Sequence, residues 1–159
     1  LIQIVCGNDS FYAIDHVVFG SSVDCVEIAE QSVFTGMFRY FSAGLACILD
    51  KPKKFSLDCG KLEEVSDVFI STSQLVAGSN CPLFHQIPEY LNIGYLNRKH
   101  RFSNLKFGIK YMTGKLEFDH CDLKSVLIKG PTQFLVDGNF VITKGAEFLV
   151  SLVSGGLLL

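Results

Sequence analysis

The chain has 159 residues, 48% of them apolar, with a formal charge of −2 and a pI near 6.1. That length and composition describe one soluble, packed domain able to bury a core without staples, and they exclude a disordered chain. The near-neutral balance excludes a global pull toward nucleic acid or anionic membrane and leaves room only for a local basic patch.

Residues 1–5 read as a strand, Gly7-Asn8-Asp9-Ser10 as a turn, and residues 11–19 as a second β-type run, together a hairpin. Within that run His16 shares a face with Ile14 and Val18 and reads as a hydrogen-bonded core or edge residue. Ser22 can cap a short helix over residues 23–30. Phe34, Met37, Phe38, Phe41, Leu45, Ile48 and Leu49 then recur at helical spacing, which predicts an amphipathic helix ended by Asp50-Lys51-Pro52. Residues 55–57 suit a short strand. Leu62, Val65, Val68, Phe69, Leu75 and Val76 predict a second amphipathic helix, with Asp58 as N-cap and Gly78 as C-cap.

Beyond a loop with two prolines the texture becomes β-like. Phe102, Leu105, Phe107, Ile109 and Tyr111 suggest an alternating strand over residues 102–112, with further strands at 115–118 and 125–129. Asp137-Gly138 between two β-type runs marks a tight hairpin over residues 133–143. Residues 145–153 suit either helix or strand. The predicted fold is α+β: an N-terminal β-hairpin and two amphipathic helices packed with a mostly antiparallel C-terminal sheet. It forms a single domain over residues 1–159 with a seam near 78–100. The absence of a starting methionine and the apolar end suggest a piece of a longer chain.

Six cysteines, Cys6, Cys25, Cys47, Cys59, Cys81 and Cys121, are spread evenly with no C-x-x-C pair. That pattern suits free thiols in a reducing, intracellular compartment. No phosphate-binding glycine loop, H-E-x-x-H, G-x-S-x-G or EF-hand pattern is present, so no cofactor or metal is expected. Asp119-His120-Cys121-Asp122 holds four ligand-type residues, but on a strand only alternate members share a face, and a polar strand end or turn is the plainer reading. Cys59, beside Gly60 and ahead of the second predicted helix, is the best-placed candidate nucleophile, with His85, His100 or His120 as base. Arg98, Lys99 and Arg101, followed by Lys106 and Lys110 and flanked by aromatics, could hold single-stranded nucleic acid. Phe34, Met37, Phe38 and Phe41 could serve either the core or an interaction surface.

Residues 26–38 resemble the strand-to-helix passage of the BTB/POZ and Skp1-like interaction domains. Lys54-Phe55-Ser56-Leu57 with the predicted helix at 62–71 resembles that family's next strand and helix. The resemblance covers about a third of the chain and implies a protein-interaction fold. With no coherent catalytic constellation, the expected function is a non-enzymatic interaction or assembly module with a protein partner or self-association. The alternatives are a viral capsid or polyprotein-derived structural domain, a single-stranded nucleic-acid-binding domain and a Cys/His-dependent hydrolase. No membrane span is expected.

Overall fold

Strand formers dominate the chain more than their spacing suggests, and the result is a sandwich of two antiparallel six-stranded sheets. A computed structural model describes residues 1–48, 51–72, 89–99, 103, 104, 106, 109, 110, 113–115 and 117–153, with the backbone alone described at Met37, Tyr40, Phe41 and Ile48. The first sheet comprises β1 (Ile2–Cys6), β2 (Asp9–Ala13), β4 (Phe55–Asp58), β5 (Leu62–Val65), β9 (Ser125–Lys129) and β12 (Glu147–Leu152), in the order β2-β1-β12-β9-β4-β5. The second comprises β3 (His16–Gly20), β6 (Asp67–Ser71), β7 (Leu91–Leu96), β8 (Asp119–Leu123), β10 (Gln133–Val136) and β11 (Asn139–Ile142), in the order β11-β10-β3-β6-β7-β8. Two helices, α1 (Ser21–Gln31) and α2 (Met37–Ile48), follow β3.

The core lies between the sheets. Ile2, Ile4, Leu57, Ile128, Phe148 and Val150 from the first sheet meet Val17, Phe19, Ile70, Ile93 and Phe134 from the second, all essentially sealed from solvent. Phe19, Phe134 and Phe148 form a mutual aromatic cluster with ring centroids 5.1–5.2 Å apart. Such pairs add about 0.5–1.5 kcal/mol each beyond the area they bury. A smaller cluster of Val18, Val23, Phe69, Phe118 and Leu135 covers the outer face of the second sheet beneath α1.

The predicted fold class is therefore corrected: this is mostly sheet, in two layers, rather than a helix-packed α+β domain with one C-terminal sheet. The largest single difference is at 62–71, where the predicted helix is two strands, β5 and β6, one in each sheet. The apolar residues at 62, 65 and 68 satisfy helical spacing only because the chain breaks at Ser66 and restarts its alternation. β6 is buried along its whole length, and a strand covered on both faces carries no period-two signature. Asp58 caps a turn instead of a helix, its Oδ1 accepting from the Gly60 amide at 3.2 Å. Leu75, Val76 and Gly78 lie outside the described residues, as does much of the expected seam at 78–100.

The N-terminal run at 11–19 is also two strands, β2 in the first sheet and β3 in the second, with the chain changing layers at Ile14-Asp15. Ser103, Asn104, Lys106, Ile109 and Lys110 are helical, not extended. Positions 102, 105 and 109 fit i, i+3, i+7 as well as they fit a ragged alternation. The strand expected at 115–118 begins instead at Asp119, and residues 147–152 resolve as strand. β4, β9 and the Asp137-Gly138 hairpin fall where the sequence predicts them.

α1 and α2 form an antiparallel hairpin joined by five residues, with Arg39 paired to Glu30 at 3.2 Å. Of the apolar stripe predicted for α2, the members whose side chains are described are exposed. Ala43 and Cys47 are buried, whereas Phe38 is 75% and Leu45 50% exposed, and Phe34 precedes the helix at 56%. Small residues at an i, i+4 pair let α2 approach α1 closely, which Phe and Leu would prevent. Gly20 makes the entry to α1 possible. Its φ is +105°, and a Cβ there would sit 2.1 Å from the Ser66 carbonyl oxygen, which itself accepts the Ser21 amide at 3.1 Å. Gly20→Ala is expected to destabilise the protein by at least ~2 kcal/mol, read as a lowered urea midpoint. An unchanged midpoint would contradict the tight packing of β3 on Ser66.

Candidate functional site

Antiparallel pairing sets directly opposed residues on the same face of a sheet. In the second sheet His16 stands opposite Ser71, Ser71 opposite Asn92, and Asn92 opposite Asp122. Asp137, one residue past β10, continues the row, its amide donating to the His16 carbonyl at 3.0 Å. Five adjacent strands thus deliver Asp137, His16, Ser71, Asn92 and Asp122 in a line across one end of the sheet. Their strand neighbours Val17, Ile70, Leu91 and Ile93 point into the core, so the row faces the opposite side.

The chain's change of layers between β2 and β3 shapes this end. Ile14, Asp15 and His16 cannot pair their amides in a ladder at the corner, and Asp137 accepts all three at 2.7, 3.0 and 2.9 Å. The carbonyls are met from the other side. Thr72 donates its amide to Asp15 at 3.0 Å and its hydroxyl to Ile14 at 3.2 Å, while the Ser71 hydroxyl donates to Asp15 at 3.1 Å. Asp137 itself has φ +47° in the type of turn that Asp-Gly favours. Burial pushes its carboxyl up, but the amides of His16, Ile14 and Asp15, with the His16 ring, outweigh that and hold it below the usual carboxylate range.

His16 is 16% exposed, with Nδ1 at 3.2 Å from Asp15 and 4.0 Å from Asp137. Ser71 and Asn92 are 1% exposed. At the far end Asp122 Oδ1 is buried with no hydrogen-bond partner among the described residues. The row therefore carries a carboxylate at each end, a titratable imidazole, a hydroxyl and an amide. Its middle, at Ser71 and Asn92, is closed to solvent, which leaves the His16 end as its accessible part. Away from the row, a concavity of about 260 Å³ lies between Gly20, Asp24, Lys53, Lys54, Phe55 and Gln133. There Asp24 accepts from Lys53 at 3.0 Å and from Gln133 at 2.6 Å, and partial burial lowers the Lys54 ammonium.

The residues singled out from sequence scatter. The Arg98 guanidinium is sealed inside the fold, bound to Asp67 at 2.6 and 2.7 Å, so it is not offered to solvent. Lys99 and Lys106 are exposed, Lys110 pairs with Glu117 at 3.0 Å, and Arg101 lies outside the described residues. Phe34 and Phe38 are exposed at the α1–α2 corner, and Met37 and Phe41 belong to α2. Cys59 sits in the β4–β5 turn with its thiol 3.7 Å from the Lys61 carbonyl, so the helix expected to favour its thiolate is absent there. His85 and His100 lie outside the described residues. Asp119-His120-Cys121-Asp122 is a full strand, and no three His, Cys, Asp or Glu side chains converge on a metal-sized site among the described residues. Sequence reading missed the polar row, because His16, Ser71, Asn92 and Asp122 become neighbours only through strand pairing.

No family model and no curated protein matches the chain. Solved structures do share its fold. Two are of a protein from Bacillus anthracis str. Sterne provisionally named diacylglycerol kinase, with TM-scores of 0.54 and 0.52 at 15% identity, each covering 94% of this chain. The chain spans about half their length, 50% and 53%. The expectation of a non-enzymatic interaction or assembly module is corrected by this likeness, since the fold is that of half of a protein named as an enzyme. The BTB/POZ resemblance fails at 62–71, where that family's helix is replaced by β5 and β6. Among the described residues no helix is long and apolar enough to cross a membrane.

Asp137→Ala is expected to lower stability by about 1–3 kcal/mol at neutral pH, because three corner amides lose their acceptor. A carboxyl held low in the folded state stabilises above its unfolded pKa and stops doing so as pH falls through its folded value. The difference between wild type and Asp137→Ala should therefore shrink below the usual carboxylate range, read from urea melts across acidic pH. A pH-independent difference would show that the carboxylate charge is not what holds the corner.

Proposed function

We propose that this chain is the β-sandwich half of a kinase that phosphorylates a lipid hydroxyl, with diacylglycerol as the substrate class. The observation that carries the proposal is the fold shared over 94% of the chain with half of a protein provisionally named diacylglycerol kinase. The polar row supports it. Phosphoryl transfer to a hydroxyl needs acceptors to orient that hydroxyl and a base to take its proton. His16, held by Asp15 through Nδ1, is the titratable group on the row suited to that second task. The sequence has no glycine-rich phosphate loop. The nucleotide is therefore assigned to the other half of such an enzyme. Phe34 and Phe38, exposed at the α1–α2 corner, are proposed as a surface for a protein partner or a second copy, and a reducing, intracellular setting remains part of the proposal.

The test is transfer of phosphate from ATP to diacylglycerol in mixed vesicles by the full protein containing this chain. Phosphorylated lipid is expected, and His16→Gln should slow turnover by about 10²-fold or more with little change in lipid binding. No lipid product would overturn the kinase reading. Wild-type turnover in His16→Gln would overturn the role of His16 alone.

A further inference from the structure

Two carboxylates stand beside the His16 ring, and their hydrogen bonds divide the work between them. Asp137 Oδ1 accepts the Asp15 and His16 amides at 3.0 and 2.9 Å, and Oδ2 accepts the Ile14 amide at 2.7 Å. It stands 4.0 Å from the ring Nδ1, beyond hydrogen-bond reach. Asp15 does the reverse. Its Oδ2 lies 3.2 Å from Nδ1, and the ring is the one partner of its carboxyl among the described residues. Asp137 therefore serves the backbone of the corner, and Asp15 serves the imidazole.

Successive side chains on a regular strand point to opposite faces, so neighbours along a strand do not meet. Asp15 escapes that rule because it precedes β3, at the corner where the chain changes layers. Its main chain is clamped there on both sides. Asp137 takes its amide, and its carbonyl accepts the Thr72 amide at 3.0 Å and the Ser71 hydroxyl at 3.1 Å. The carboxylate itself is 51% exposed, and an exposed pair of this kind adds little to stability. What it can set is the tautomer. A neutral imidazole carries one N–H, and an ionised carboxylate can only accept. With Asp15 against Nδ1, the proton stays on Nδ1 and the lone pair on Nε2, which has no hydrogen-bond partner among the described residues.

We propose that Asp15 is a positioning residue that holds neutral His16 in its Nδ1–H form and so makes Nε2 the nitrogen that takes the proton of the substrate hydroxyl. The effect on rate rests on the kinase reading above, whereas the tautomer does not. In the step, the hydroxyl oxygen attacks the γ-phosphorus of ATP and its O–H bond breaks. The proton passes to the Nε2 lone pair, and ADP leaves with the electrons of the broken P–O bond. His16 is then an imidazolium whose Nδ1–H still faces Asp15, with Asp137 as the second nearby carboxylate, until Nε2 returns its proton to solvent.

The experiment records ring 15N–1H correlations of the full protein containing this chain, labelled with 15N-histidine, at about pH 9, where histidine is neutral. His16→Gln identifies the His16 signals. Wild type is expected to carry its proton on Nδ1 and to leave Nε2 unprotonated. In Asp15→Asn, whose amide donates as well as accepts, the Nε2–H form should become a major population, with the urea midpoint close to wild type. The same variant should lower kcat for lipid phosphorylation about 10-fold with KM unchanged, and Asp15→Glu should restore both the tautomer and most of the rate. A wild-type ring protonated on Nε2, or a tautomer unaltered by Asp15→Asn, would overturn the proposal whatever the activity. An altered tautomer with wild-type kcat would overturn the link from Asp15 to proton transfer. The expected tautomers in a protein that phosphorylates no lipid would overturn the kinase reading and support the hold of Asp15 on the ring.

Discussion

One buried ion pair fixes where most of this fold's irregular parts go. Asp67 is fully sealed and Arg98 6% exposed, and the carboxylate takes Nε and Nη2 at 2.7 and 2.6 Å. Charges in such a place are tolerated only if their remaining valences are met. Here they are met by particular neighbours. The Ser22 amide and hydroxyl reach Asp67 at 2.8 and 2.7 Å, and the Ser66 hydroxyl at 2.8 Å. Asp67 is thereby the cap of α1, which has no side-chain cap from its own Gly20. Arg98 Nη1 donates to Asn104 at 3.0 Å, and Asn104 donates in turn to the Cys47 carbonyl at the end of α2, at 2.7 Å. A single carboxylate in β6 thus orients the start of α1, the end of α2 and the chain that leaves β7.

The opposite end of the second sheet follows the same logic with a different carboxylate. Where the chain leaves the first sheet for the second, the corner amides have no ladder partner, and Asp137 supplies one from more than a hundred residues away. Two long-range side-chain-to-backbone contacts therefore hold the two ends of one sheet, and the strands between them carry the polar row. The row inherits its precision from strand registry, and its His16 end, not the more conspicuous basic or cysteine-bearing segments, is what the site adds to a functional proposal carried by the fold.

Local chemistry was legible in the sequence where it is self-contained. Asp137-Gly138 specified its hairpin, the β-branched run at 125–129 its strand, and residues 23–30 the body of α1. What failed was periodicity in segments buried on two sides. β6 has no alternation to detect, and Leu62, Val65 and Val68 imitate a helical stripe across a strand break. The aromatic stripe of α2 misled for the reverse reason: the helix buries Ala43 and Cys47 against α1 and leaves Phe38 outside. Arg98 looked like part of a surface basic run because its partner, Asp67, is distant in sequence. The polar row was invisible for the same reason, since no two of its members are close along the chain.

The central claim, that the Asp67–Arg98 pair organises both helices, is tested most directly by native-state hydrogen exchange on Arg98→Met and on the Asp67→Leu/Arg98→Met double variant. Breaking one partner should leave a buried charge and lower stability by about 3–5 kcal/mol, whereas removing both should recover much of that loss. In the single variant α1 and α2 amides should lose protection well before those of β1 and β12. A neutral single substitution, or an equal loss of protection across both sheets and both helices, would contradict the account.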